Sequence, residues 1–141
     1  MLYLVRHADA VPESHDLPDE YRHLTAAGRA AAAAAGDSLS ARGVRPAAVF
    51  TSPLPRATQT AELLVTALGF TGVVITLSAL APGGDEEDAL RRVREAGVAI
   101  VVGHEPGLSA IAGLAVGEPV SMLGKAEIVA IDAGVIDWHG R

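Results

Sequence analysis

Leu2-Tyr3-Leu4-Val5-Arg6-His7-Ala8-Asp9 passes from an apolar run to ionisable side chains in a single step. A buried strand that stops so abruptly sets its first polar residues at the carboxyl edge of a sheet, the edge at which open α/β sheets bind ligands. The same pattern returns late in the chain, where Val98–Val102 runs into Gly103-His104-Glu105-Pro106-Gly107. Two strand-end histidines, one with an arginine beside it, point to a site for an anionic group.

Outward from these strands, short apolar segments alternate with helical stretches, which is the signature of a layered α/β fold. The first strand is read over Leu2–His7. A polar loop from Asp9 to Leu24, containing Pro12 and Pro18, leads to a helix that starts near Thr25 as N-cap and runs through Ala41 until Arg42-Gly43 ends it. Alanine is the strongest helix former, so the run Ala30–Ala35 reads as a closely packed structural helix. A second strand is expected at Ala47–Thr51. A helix follows from about Arg56 to Leu68, with Ala57, Ala61, Leu64 and Leu68 on one face.

A third strand is placed at Val73–Leu77. The loop Ala81-Pro82-Gly83-Gly84 then yields to Asp85-Glu86-Glu87-Asp88, an acidic start for a helix reaching about Ala96, and Arg91, Arg92 and Arg94 suit its later turns. Val98–Val102 is largely β-branched and reads as a strand buried on both faces. Gly107–Val116 is a short apolar helix. Ile128–Ile131 and Val135–Trp138 form an antiparallel hairpin through Asp132-Ala133-Gly134. Neither a repeat nor a linker divides the chain, and 141 residues suit one domain spanning 1–141.

Hydrophobic residues make up 50% of the chain, enough for a packed core without a disulfide or metal staple. Cysteine is absent, which excludes disulfides, zinc–thiolate sites, iron–sulfur clusters and thiol nucleophiles, and fits a reducing compartment. A net charge of −6 and the lack of a basic patch set nucleic acid aside as a partner. No run approaches the roughly 18 apolar residues of a membrane span. Met1 leads straight into a strand, which speaks against a signal peptide. A cytoplasmic location is expected.

An isolated strand-end histidine usually just caps a carbonyl. At His7 that reading must also account for Arg6, whose guanidinium is costly to bury without an anion. Guanidinium groups hold phosphate through forked, charge-assisted bonds worth roughly 1.5–3 kcal/mol each. Thr51-Ser52-Pro53-Leu54-Pro55-Arg56-Ala57-Thr58-Gln59-Thr60-Ala61 leaves a strand, turns at two prolines and opens a helix with Arg56 in its first turn. A cation there opposes the helix dipole, a choice that makes sense when Arg56 and the helix N-terminus face one anion. His104 lies between glycines that allow close backbone approach to a ligand. Pro106 breaks any helix through Glu105, so the segment is not the His-Glu-x-x-His zinc arrangement.

Arg6-His7-Ala8, Ser52-Pro53-x-x-Arg56-Ala57-x-x-Thr60-Ala61 and Gly103-His104 together resemble the histidine phosphatase superfamily. The small size, Arg22-His23-Leu24-Thr25-Ala26-Ala27-Gly28 and Ala81-Pro82-Gly83-Gly84-Asp85 resemble, more narrowly, its SixA-type phosphohistidine phosphatases. The resemblance extends from Leu2 to the final strands in order and spacing. It implies a phosphoglycerate mutase-like three-layer sandwich, with a mostly parallel central sheet and helices on both faces. It implies His7 as nucleophile, and Arg6, Arg56 and His104 as holders of the phosphoryl oxygens. It further implies two-step catalysis through phospho-His7, without metal or other cofactor. A free imidazole has a pKa of ~6.5, so the neutral, attacking form is available near pH 7.

Ala8 departs from the superfamily's commoner glycine. The proton donor is open among Asp85, Glu86, Glu105 and none, with Asp85 better read as a helix cap. A missing acid suits a phosphohistidine or other P–N substrate, whose leaving group needs less help than an alkoxide. Short connections leave no lid and suit a phosphorylated protein side chain. Gly124-Lys125 lacks the flanking residues of a P-loop, Ser109 lacks the nucleophile-elbow glycines, and His15, His23 and His139 show no metal-ligand spacing. The expected activity is removal of phosphate from phosphohistidine in proteins such as phosphorelay carriers. The alternatives are a small-molecule phosphomonoesterase of the same fold and a non-catalytic phosphate-binding module.

Overall fold

The computed structural model describes every residue from Met1 to Arg141. Its apolar segments become β1 (Leu2–Arg6), β2 (Ala48–Thr51), β3 (Val74–Thr76), β4 (Ala99–Gly103), β5 (Ile128–Asp132) and β6 (Val135–Gly140) of one sheet. Helices α1 (Ala26–Ala41), α2 (Pro55–Leu68), α3 (Glu86–Arg94) and α4 (Gly107–Val116) connect them. The strand order is β3-β2-β4-β1-β5-β6. β1 to β4 run parallel, whereas β5 pairs antiparallel to β1 and β6 antiparallel to β5. This is the expected α/β sandwich with a mostly parallel sheet.

Alternation along the strands feeds two cores. Leu2, Leu4, Ala99 and Val101 point to the face covered by Leu90 and Val93 of α3 and by Leu108 and Ile111 of α4. Val5, Ile100 and Val102 point to the other face, against Ala35 and Leu39 of α1 and Ala57, Ala61 and Leu64 of α2. Small residues on α1 and α2 permit a tight crossing: a Cβ at Gly36 would overlap the Leu64 carbonyl. Gly28 has a similar task nearer the site, since a Cβ there would overlap the Asp9 carbonyl oxygen.

Local sequence explains the ends of the elements. Thr25 Oγ1 accepts from Gly28 N at 3.0 Å and caps α1. Asp85 accepts from Asp88 N at 3.0 Å and caps α3. Between β1 and α1, the polar loop contains a single 3-10 turn at Asp19–Tyr21 that its composition does not announce.

Register then brings distant residues together. Arg6 pairs with Gly103 across β1 and β4, so the next residue on each strand is a histidine. Thr51 pairs with Val102 on the other side of β4, which puts Ser52 level with Gly103. Three neighbouring parallel strands therefore deliver residues 6–7, 103–104 and 51–52 to one carboxyl edge.

Candidate active site

His7 and His104 are both buried, with ring centroids 5.2 Å apart and planes tilted by 57°. The Nδ1–H of His7 donates to the Ala8 carbonyl at 2.8 Å. That bond fixes the tautomer and leaves the Nε2 lone pair free to attack. Ala8 is fully buried and has no positive φ, so alanine sits there without backbone strain. Its N–H donates to Thr60 Oγ1 at 3.0 Å, and the Thr60 hydroxyl donates to the Arg56 carbonyl at 2.7 Å. The first turns of α2 are thereby tied to the loop that follows His7, which gives Thr60 a task that its place in the motif only hinted at.

Arg56 lies in the first turn of α2, after Pro55, and is buried. Its guanidinium donates to the Asp19 carbonyl at 2.8 Å and to Asp19 Oδ2 at 3.3 Å. Asp19 also accepts from Arg22 at 3.1 Å, while Arg22 Nε donates to the Val11 carbonyl at 2.7 Å. One carboxylate on the 3-10 turn thus holds two cations at the rim. Neither Asp19 nor Arg22 was singled out from sequence for a role. Arg22 lay within a quoted stretch, but nothing in its spacing tied it to the site. Its charge, like those of Arg56 and Arg6, is felt by His7.

Arg6 donates to the Leu123 carbonyl at 2.9 Å. Leu123 N in turn donates to Glu105 Oε2 at 2.6 Å, and Ser109 N to Glu105 Oε1 at 2.7 Å. Both Glu105 oxygens are committed to backbone, and the side chain anchors the segment that holds Arg6. His104 Nε2 lies 2.7 Å from Ser52 Oγ, which accepts from Leu54 N at 3.2 Å. A Ser52 hydroxyl donating to Nε2 would put the proton of the neutral ring on Nδ1, and one accepting from Nε2–H would leave Nδ1 a lone pair.

Three buried nitrogens have no hydrogen-bond partner: Arg6 Nε, Arg56 Nε and His104 Nδ1. Native proteins seldom leave buried donors unpaired, and each such group costs about 1–3 kcal/mol. All three belong to the four residues singled out from sequence. Such a concentration of unpaired arginine and histidine nitrogens suits a tetrahedral oxyanion. No three His, Asp or Glu side chains group as a metal site requires. Of the acid candidates, Asp85 is the cap of α3 and Glu105 is bound to backbone; Glu86 is half-buried on the wall of a cavity that adjoins His104. His23 is exposed, as a solvated loop residue should be.

Burial above all, with the nearby charges of Arg56, Arg6 and Arg22 and against the opposing Ala8 bond, pushes His7 down to about 4. Burial, followed by the charges of His7 and Arg56, pushes His104 down to about 3. Both rings are therefore neutral at pH 7. The unfolded chain, with histidines near 6.5, takes up protons first as pH falls. Stability is then flat above about pH 7 and drops from about pH 6.5 towards 4, by at most about 2.7 kcal/mol per pH unit for two protons. Thermal unfolding at pH 5.0 and 7.5 checks this: the gap in Tm should shrink in the double variant His7→Asn, His104→Asn.

Residues 2–81 match the model of the histidine phosphatase superfamily (branch 1). No curated protein sequence matches the chain. Among solved structures, the protein histidine phosphatase SixA complexed with tungstate superposes with a TM-score of 0.83 at 26% identity, over 98% of this chain and 94% of that one. The Agrobacterium tumefaciens protein assigned as the phosphohistidine phosphatase SixA gives 0.80 at 24% identity, over 91% and 88%. A mycobacterial glucosyl-3-phosphoglycerate phosphatase gives 0.66 at 18% identity, over 91% and 87%. The last two likenesses concern the fold alone. A family match across more than half of the sequence, on a fold shared along nearly its full length, makes this chain a member of the histidine phosphatase superfamily and a phosphatase.

Proposed function

We propose that the chain is a single domain, residues 1–141, that hydrolyses phosphohistidine in proteins through a phosphohistidine intermediate of its own. His7 Nε2 attacks phosphorus and forms an N–P bond while the bond to the leaving group breaks. Water then attacks phospho-His7, which releases inorganic phosphate and restores the imidazole. Arg6, Arg56 and His104 hold the phosphoryl oxygens through both steps, since phosphoryl transfer depends chiefly on positioning and charge stabilisation. The positive charge of the two arginines and the donors of the set serve in place of a metal ion, and the reaction needs no cofactor.

The observation that carries this reading is the His7 tautomer lock, with Nδ1–H on the Ala8 carbonyl, beside three buried nitrogens without a partner. The carboxylates favour one leaving group. Two of the three candidate acids, Asp85 and Glu105, are engaged elsewhere, and a P–N bond cleaves with less acid assistance than an ester. The likeness to SixA at 26% identity favours the same substrate class. A phosphoprotein partner and a cytoplasmic location belong to this proposal, and the net charge of −6 disfavours nucleic acid. Small phosphorylated sugars are the second reading, favoured by the shared fold of the mycobacterial enzyme. A panel of phosphohistidine protein, phosphoramidate and sugar phosphates separates the two: phosphohistidine should have the highest kcat/KM. Rapid turnover of sugar phosphates with none of phosphohistidine overturns the proposal.

A further inference from the structure

Beside the phosphate cradle, a cavity of about 120 Å³ opens between the loop Ala79–Gly84 and the start of α4. Leu80, Leu108 and Ile111 supply apolar walls, and His104 and Glu86 supply polar ones. A cavity of ~150 Å³ is known to hold one benzene ring, so this volume matches a single five-membered ring. Most carboxylates nearby are committed. Asp85 caps α3, Asp88 pairs with Arg91 and Arg92, and both Glu105 oxygens accept from backbone N–H groups. Glu86 is the carboxylate of the cavity wall left without such a partner.

We propose that this cavity seats the leaving imidazole of a phosphohistidine side chain, with the Glu86 carboxylate accepting the N–H of the ring nitrogen remote from phosphorus. The inference rests on the phosphohistidine reading above and adds a leaving-group seat and a specificity residue to it. As the bond from His7 Nε2 to phosphorus forms, the substrate's N–P bond breaks and its electron pair returns to the departing ring nitrogen. The proton on the remote nitrogen stays in place, so the ring leaves as neutral imidazole rather than imidazolate. A carboxylate facing that N–H favours the protonated ring, which is the better leaving group. The apolar walls match the ring's carbon edge, whereas the hydroxyls of a sugar would be left unpaired against them.

The test compares kcat/KM for phosphohistidine with that for phosphoramidate, which has the P–N bond and no ring, in the wild-type chain and in Glu86→Gln. A hydrogen bond to a charged group is worth ~1.5–3 kcal/mol, so the ratio of the two constants should fall about 10-fold or more in the variant. Phosphoramidate turnover reports that the variant is folded. A ratio within twofold of the wild type overturns the seat. A wild type active on phosphoramidate but inert on phosphohistidine overturns the substrate reading, and the seat with it.

Discussion

His7→Ala loses turnover by at least about 10⁴-fold, the scale seen when a covalent nucleophile is removed from an otherwise intact site. The ring is buried beside His104 and its Nδ1–H is spent on Ala8, so no neighbouring group offers a substitute lone pair in the same place. His104 is the nearest alternative, but its Nε2 is engaged by Ser52. Trapping with a radiolabelled phosphodonor, followed by an alkaline denaturing quench, supplies the direct check. Wild-type protein should retain acid-labile, base-stable label and His7→Ala none. Equal labelling of the two proteins would remove His7 from the mechanism, and failure of both to label would favour a module that only binds phosphate.

Arg56→Ala separates catalysis from folding. Removing one oxyanion donor from a preorganised site costs about 10²–10³ in rate, and kcat/KM should fall by that factor. Stability should change by no more than about 1–2 kcal/mol. The guanidinium is a buried charge with an unpaired Nε, and its ion partner Asp19 is 46% exposed and also bound by Arg22. Loss of Arg56 therefore strands no buried carboxylate, and the Tm should fall by no more than about 7 °C. A collapse in Tm matching the loss of rate would make Arg56 a structural residue.

The features legible in the sequence were those written in local chemistry. Thr25 and Asp85 are caps because an oxygen three residues ahead of a free N–H needs little else. Gly107–Val116 has the bounds its apolar run suggests, with Gly117 taking the left-handed turn at its end. Strand ends were harder, because pairing rather than composition decides them. β4 is shifted by one residue to Ala99–Gly103 because Ala99 pairs with Leu2, and β1 stops at Arg6. β3 shrinks to Val74–Thr76 at the sheet's margin, where Val73 is largely exposed. β6 continues past Trp138 to Gly140, and the Trp138 ring lies 3.5 Å from the Arg42 guanidinium.

At the site, Arg6, His7, Arg56 and His104 could be found because each sits at a strand end or helix start, where a charge conflicts with its surroundings. Asp19, Arg22 and Ser52 could not. They act through bonds to side chains and carbonyls far along the chain, and no periodicity records such a partner. Glu105 was ambiguous for the opposite reason: its neighbour His104 suggests chemistry, while its own oxygens serve the backbone of Ser109 and Leu123.

The middle position of β1 has a consequence for how the molecule comes into being. Its flanking partners are β4 and β5, so during synthesis β1 waits for residues 99–132 before either side can be zipped. Assembly around Leu4 and Val5 is accordingly a late, long-range event of the kind that slows folding. The imidazole of His7 gains its dry surroundings only then, when the second imidazole arrives on β4.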